Sequence, residues 1–287
     1  MSRSGGARRA ADRPAEGRYP IAQGEAELVR DPDRDGGWVI TIAGVPQSYV
    51  DLDDPRYLDF EYMRLLGDVV DHLDDGPLDA VHVGGAGCTL ARYIGTTRPG
   101  SRQVVLELDG KLVQLVRDQL DLKSVRGLKV RIGDGREGVA ALPAGADDLV
   151  VLDAFSGAVM PTALASREFV EDVARVLRAD GVLLVNVADG SRLSFARRLA
   201  ATVQSVFPHT LLLAEPGVLR GRRFGNLVLA GSRTGLPIAS LTRISAGKPI
   251  PARCLDHEEL ARFASGYAPI HDGDEVEAPV PPASIFN

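Results

Sequence analysis

Three acidic side chains each stand at the end of a short apolar run, and a glycine-rich turn precedes all of them. In VHVGGAGCTL, Gly84, Gly85 and Gly87 give up three side chains in four positions. Such a turn between a strand and a helix lets a ligand approach backbone N–H groups and the helix N-terminus, although plain strand–helix packing also uses glycine, and the spacing is not a strict GxGxxG. Glu107, in VLELD, lies about twenty residues beyond Gly87, where an acidic residue accepts hydrogen bonds from ribose hydroxyls and disfavours a 2′-phosphate. Asp134, followed by Gly135 in GDGRE, is placed to receive an adenine amino group, or else is ordinary turn chemistry. Together these residues describe an adenosyl site. Asp153, in VVLDAFSG, ends the fourth run, where the chemistry of such an architecture occurs, or it caps the turn that follows. Whether a pyrophosphate or a sulfonium follows the nucleoside is left open by the turn alone.

The elements that would position these groups are written in the hydrophobic pattern. AVHV, QVVLEL, LKVRI, DLVVL, GVLLVNV, TLLLAE and NLVLAG read as strands, separated by the helical periods of KLVQLVRDQL, ASREFVEDVARVLR and RLSFARRLAATVQSVF. Strand and helix alternating in this way predict an α/β, Rossmann-like, doubly wound sheet with helices on both faces. Upstream, Trp38, Ile40 and Ile42 alternate after DRDGG, which predicts hairpin strands. A helix is then expected from Asp54 as N-cap and Pro55 as first residue, with Leu58, Tyr62, Leu65, Leu66, Val69 and Leu73 on one face. The expected organisation is a disordered tail over 1–18, a β-hairpin domain over 19–55, the nucleoside-binding domain over 56–232 and a Pro- and Gly-rich C-terminal extension over 233–287.

Composition excludes several classes. A formal charge of −6 argues against a phosphate-tracking nucleic-acid surface, and the basic LRGRRFGN stretch reads as a solvated loop. Cys88 and Cys254 are far apart, which suits a reduced cytoplasmic protein without a disulfide framework or a cysteine zinc site. The five His residues are scattered, and no Ser-His-Asp order, Walker A motif or metal cluster is visible, so no metal is expected. The N-terminus lacks an apolar signal core, and no segment reaches the length of a membrane span.

From about Trp38 to Gly231 the chain resembles the spermidine synthase (polyamine aminopropyltransferase) family of the class I S-adenosylmethionine-dependent methyltransferase fold. The carriers are GVPQSYVDLDDPRYLD, similar to that family's DG-x-x-Q and DE-x-x-YHE region, VGGAGCTL for GGGDGGTL, VLELD, GDGRE, and VVLDAFSG for the D-x-x-D strand end. The resemblance implies a small N-terminal β domain, a seven-stranded sheet whose last strand is antiparallel, and a homodimer. It also implies that Gln47, Glu107 and Asp134 hold the nucleoside of an aminopropyl donor. Tyr57 matches the YHE tyrosine on the substrate side, and Asp153 matches the aspartate that assists deprotonation of the attacking amine. The chain departs from the pattern where the glycine turn lacks its Asp, where Leu58 replaces His, and where Ser156 replaces the second Asp of D-x-x-D. Asp189, in NVADG, and Asp59 are the candidates to restore charge for the substrate amine.

The implied activity is aminopropyl transfer from decarboxylated S-adenosylmethionine to a diamine or related amine. Two other readings stand beside it. Loss of the glycine-turn Asp removes a charge that would repel the carboxylate of intact S-adenosylmethionine, which allows a methyltransferase, although no NPPY-type motif follows the fourth strand. Ser156 and Leu58 motivate a noncatalytic nucleoside-binding homologue.

Overall fold

The computed structural model describes residues 14–156 and 159–282. Strands β1 (Gly17–Ile21), β2 (Gly24–Arg30), β3 (Gly37–Ile42) and β4 (Val45–Asp51) form an antiparallel meander in chain order. Their alternation buries Ala26, Leu28, Ile40 and Val50, which pack against Cys88, Ala91, Leu112 and Val116 of the main body. Of the tail expected over 1–18, residues 1–13 lie outside the described residues, while Gly17 and Arg18 pair with Leu28 and Glu27 in the meander.

The helix expected from Asp54 starts later, as α1 (Glu61–Asp71). The carboxylate of Asp51 accepts the N–H groups of Asp53 and Asp54, both at 2.9 Å, and Arg34 pairs with that carboxylate at 2.6 Å. Tyr57 N–H then bonds the Asp54 carbonyl at 2.9 Å. Local side-chain bonds thus hold the Asp-Pro stretch as a turn and compete with the helix that its spacing suggests.

The main sheet is built by β5 (Asp79–Gly84), α2 (Thr89–Thr97), β6 (Arg102–Glu107), α3 (Gly110–Gln119), β7 (Leu128–Ile132), α4 (Gly135–Ala140), β8 (Asp147–Asp153), α5 (Arg167–Val176), β9 (Leu177–Asp189), α6 (Ser194–Gln204), β10 (His209–Ala214), α7 (Pro216–Leu219) and β11 (Gly225–Ser232). After these come α8 (Ile238–Ala246), β12 (Arg253–Leu255) and α9 (His257–Phe263). The strand order is β12-β10-β11-β9-β8-β5-β6-β7. Strands β5 to β9 are parallel, whereas β11 runs antiparallel between β9 and β10. The seven expected strands are extended by an eighth, β12, which pairs antiparallel with β10 and covers its otherwise open edge.

The period-2 pattern of each strand feeds two cores. Val81, Val83, Val150, Leu152, Leu183 and Val185 face α5 and α6 through Phe169, Val173, Phe195 and Leu199. The intervening Ala80, Leu149, Val151, Val182 and Leu184 face α1 and α2 through Leu66, Val69, Leu90 and Ile94. Successive strands leave β5 in opposite directions, β6 and β7 to one side and β8 and β9 to the other, so the carboxyl ends of β5 and β8 border a crevice. Among the described residues no helix is long and apolar enough to cross a membrane.

Candidate active site

A cavity of about 760 Å³ opens at that crevice. Gly84, the last residue of β5, and Gly85, which follows it, have φ of +78° and +109°, values that side-chain-bearing residues rarely adopt. A Cβ on Gly84 would stand 2.5 Å from the Asp153 carbonyl oxygen, so its absence lets β5 and β8 close on each other. A Cβ on Gly85 would meet nothing within 4 Å, and that open space belongs to the cavity.

Glu107 ends β6 with its carboxylate turned back toward the glycine turn, accepting the Asp109 N–H at 3.0 Å and facing the N–H groups of Leu108 and Ala86. Burial raises its pKa, and these backbone donors partly offset the shift. Asp134 caps α4 by accepting the N–H groups of Arg136 at 2.8 Å and Glu137 at 3.0 Å, so this strand-end residue serves helix and cavity together. Leu108, an apolar side chain left 60 % exposed, also lines the cavity beside Glu107 and gives it an apolar surface there. Two carboxylates, an apolar wall and an open glycine turn fit a nucleoside in size and chemistry. Gln47, Gly135 and Ser156 also line the cavity. Gly135 has a packing reason as well, because a Cβ there would come within 2.5 Å of Val83. Ser156 bonds Gln23 of the β1–β2 turn at 3.3 Å and ties the loop after β8 to the N-terminal sheet.

Asp153 ends β8 and keeps one side open to the cavity, while protein packs densely around the rest of it. Its Oδ1 accepts the Asn186 amide at 2.8 Å, and the Tyr62 hydroxyl donates to the same carboxylate. Asn186 in turn accepts the Asn226 amide at 2.8 Å. Burial pushes the Asp153 pKa up to about 6, and the two hydrogen bonds limit that rise. A carboxylate with this proton affinity, held at one position, can take a proton from an amine at neutral pH.

Three residues expected at the site stand elsewhere. Gly87 packs under the N-terminal sheet, where a Cβ would come within 3.0 Å of Val50 and Ser48, and its N–H donates to Ser48 Oγ. Tyr57 lies outside the cavity lining, covered by the Arg34 guanidinium 3.7 Å from its ring centroid, although its hydroxyl reaches the cavity-lining Asp59 at 3.1 Å. Asp189 is buried and accepts the N–H groups of Gly190 at 2.6 Å and Ala196 at 2.8 Å, so it holds the start of α6 and restores no charge to the cavity.

Sequence reasoning missed Asn186, Asn226 and the role of Tyr62. The two amides were visible as polar residues inside the apolar runs GVLLVNV and NLVLAG, whereas Tyr62 was assigned to a core face by its spacing. Also missed was the charged far wall, where Arg223 bridges Glu215 and Glu61. Among the described residues no group of three or more His, Cys, Asp or Glu could hold a metal ion.

No family model matches the chain. A probable spermidine synthase from Corynebacterium glutamicum superposes with a TM-score of 0.85 and 34% identity, over 93% of this chain and 100% of that one. The polyamine aminopropyltransferase of Neisseria meningitidis serogroup A is 27% identical over 148 residues, covering 51% of this chain and 56% of the relative. Across the curated aminopropyltransferases it matches, the chain spans between 56% and 61% of their length. A spermidine synthase in complex with the transition-state analogue AdoDATO, at 18% identity and a TM-score of 0.58 over 88% of this chain and 84% of that one, shares the fold. Strand order, the end-on cavity and the full-length likeness to the Corynebacterium protein converge: the chain belongs to the spermidine synthase family.

Proposed function

We propose that the protein transfers an aminopropyl group from decarboxylated S-adenosylmethionine to a small amine. In this reading Gln47, Gly84, Gly85, Glu107, Asp134 and Gly135 hold the nucleoside. Glu107 accepts the ribose hydroxyls, and Leu108 lies against the base. The propyl chain of the sulfonium then points toward Asp153. The Asp153 carboxylate takes a proton from the incoming ammonium, and the freed nitrogen lone pair attacks the propyl carbon bonded to sulfur. A C–N bond forms as the C–S bond breaks, and its electron pair stays on sulfur to give neutral methylthioadenosine. Holding amine and carbon in line supplies most of what such a displacement needs.

The observation that carries this reading is Asp153 itself. Its proton affinity lies near neutrality, Asn186 and Tyr62 fix its position, and it faces the same cavity as the nucleoside-end carboxylates. The test is methylthioadenosine release from decarboxylated S-adenosylmethionine across a panel of amines, and silence with every amine overturns it.

The missing acid at the glycine turn supports a second reading, methyl transfer from intact S-adenosylmethionine, because no carboxylate there would repel the cofactor's own. Calorimetry with the two cofactors separates the readings through which one binds more tightly. We further propose a cytoplasmic homodimer without a nucleic-acid partner. The net charge of −6 and two buried free cysteines support the absence of a nucleic-acid partner and a reducing compartment, and the family resemblance supports the dimer.

A further inference from the structure

Four cationic side chains line the cavity among the described residues, and three already have a carboxylate. Arg136 pairs with Asp272, Arg223 with Glu215 and Glu61, and Lys248 with Asp68. Arg64, on the first turns of α1, is the exception. Its guanidinium makes a long hydrogen bond to the Leu58 carbonyl at 3.4 Å, and among the described residues no carboxylate lies within 4.0 Å of it.

That isolation has a cause in the arrangement of α1. The helix offers Arg64 two neighbours of opposite charge, Glu61 three positions before it and Asp68 four positions after it, the spacings at which side chains meet on one face. Both are taken from outside the helix: Glu61 bonds Arg223 at 3.1 Å, and Asp68 bonds Lys248. Arg64 is therefore half-buried on the cavity wall with its guanidinium donors largely unfilled. Two of the cavity carboxylates that could hold a second ammonium of a diamine, Glu61 and Glu215, are likewise bound to Arg223, whereas Asp59 keeps its charge and receives only the Tyr57 hydroxyl on one oxygen.

We propose that Arg64 binds a carboxylate of the acceptor, so that the substrate class is an amine carrying a carboxylate at its far end rather than a plain diamine. This rests on the aminopropyl-transfer reading, in which the amine is the acceptor, while the carboxylate follows from the cavity's ion pairs. A planar guanidinium with open donors receives a carboxylate in two parallel hydrogen bonds, a geometry that an ammonium cannot use. The amine end of such a molecule then reaches Asp153, and the ion pairs of the far wall need not break to admit it. A carboxylate has two sources here, the acceptor or the amino-acid tail of intact S-adenosylmethionine, and the experiment separates them.

Calorimetry on the full chain saturated with methylthioadenosine compares ω-amino acids and the α-amino acids ornithine and lysine with diamines of matched length. At least one carboxylate-bearing amine is expected to bind more tightly than its matched diamine. Arg64→Gln should weaken that amine by about tenfold or more while sparing the diamine, and Arg64→Lys should retain part of the preference. Unchanged methylthioadenosine affinity and unchanged thermal unfolding show that the variants are folded. Equal effects of Arg64→Gln on both ligand types, or diamines preferred throughout, overturn the proposal. In a separate arm without amine, a loss confined to intact S-adenosylmethionine and absent for the decarboxylated form assigns the carboxylate to the cofactor and also overturns it. The transfer reading fails independently: a carboxylate preference with no methylthioadenosine released from the decarboxylated donor leaves Arg64 assigned and removes the reaction.

Discussion

Asn186 and Asp153, at the carboxyl ends of neighbouring parallel strands, are joined by a 2.8 Å hydrogen bond from the amide to Oδ1. The amide is itself held by Asn226 from the antiparallel strand on its other side. A row of strand ends thereby fixes one carboxylate at the cavity floor, and burial sets its proton affinity.

Replacing Asp153 by Asn should abolish transfer and stabilise the ligand-free protein. The folded state binds this proton more tightly than the unfolded chain, with a pKa of about 6 against 3.8. Stability from this group therefore falls as pH rises from 3.8 to about 6, and the loss is complete above that. Removing the charge is expected to recover ~1–3 kcal/mol at pH 7.5 and little at pH 4. Denaturant unfolding at the two pH values checks this, and a destabilised variant at pH 7.5 contradicts it.

Tyr62→Phe removes a donor that favours the ionised form of Asp153. The carboxylate pKa should rise further, so the acid limb of kcat/KM, expected near pH 6 in the native enzyme, moves upward by about one unit. An unmoved limb would mean that another group controls the profile.

Glu107→Ala should weaken methylthioadenosine binding by about 10- to 100-fold, as expected for losing hydrogen bonds to a charged group, with little effect on unfolding. Asp134→Ala should weaken binding as well and also cost about 1 kcal/mol of stability, because Asp134 caps α4. Titration and unfolding of both variants test whether the two carboxylates divide in this way.

Asp189→Ala should leave ligand affinity unchanged and destabilise the fold by ~1–3 kcal/mol, because it strands the buried N–H of Ala196 and frees the start of α6. Altered amine affinity without loss of stability would return Asp189 to the substrate side.

Gly84→Ala and Gly85→Ala should differ although both have positive φ. The first drives a Cβ against the Asp153 carbonyl and should disrupt both fold and turnover. The second meets no atom within 4 Å, so its effect is backbone strain of about 1–2 kcal/mol plus a methyl in the nucleoside space. Thermal unfolding and methylthioadenosine affinity, measured together, distinguish the two.

The alternation of Val- and Leu-rich runs with helical periods determined the parallel sheet, because each strand must bury both faces, as the two cores show. Strand-end position then marked Gly84, Gly85, Glu107, Asp134 and Asp153, since in such a sheet the ends of consecutive strands share one crevice. Local pattern was insufficient where a side chain's meaning depends on what lies across space. Asp54-Pro55 has helix-start spacing but forms a turn because Arg34 and the backbone N–H groups bind Asp51. Gly87 lies under a separate sheet, and Asp189 is turned into a helix start.

The amino-acid order by itself determined the sheet, its glycine turn and the acidic residues at its open end, because hydrophobic period and strand termini are local properties of the chain. Only the tertiary structure decided that Tyr62, Asn186 and Asn226 surround Asp153. It alone, too, left Arg64 without its helix neighbours, because Glu61 and Asp68 are paired by side chains 162 and 180 positions away, Arg223 and Lys248, brought across the cavity by the folding of the segment before β11 and of the C-terminal segment.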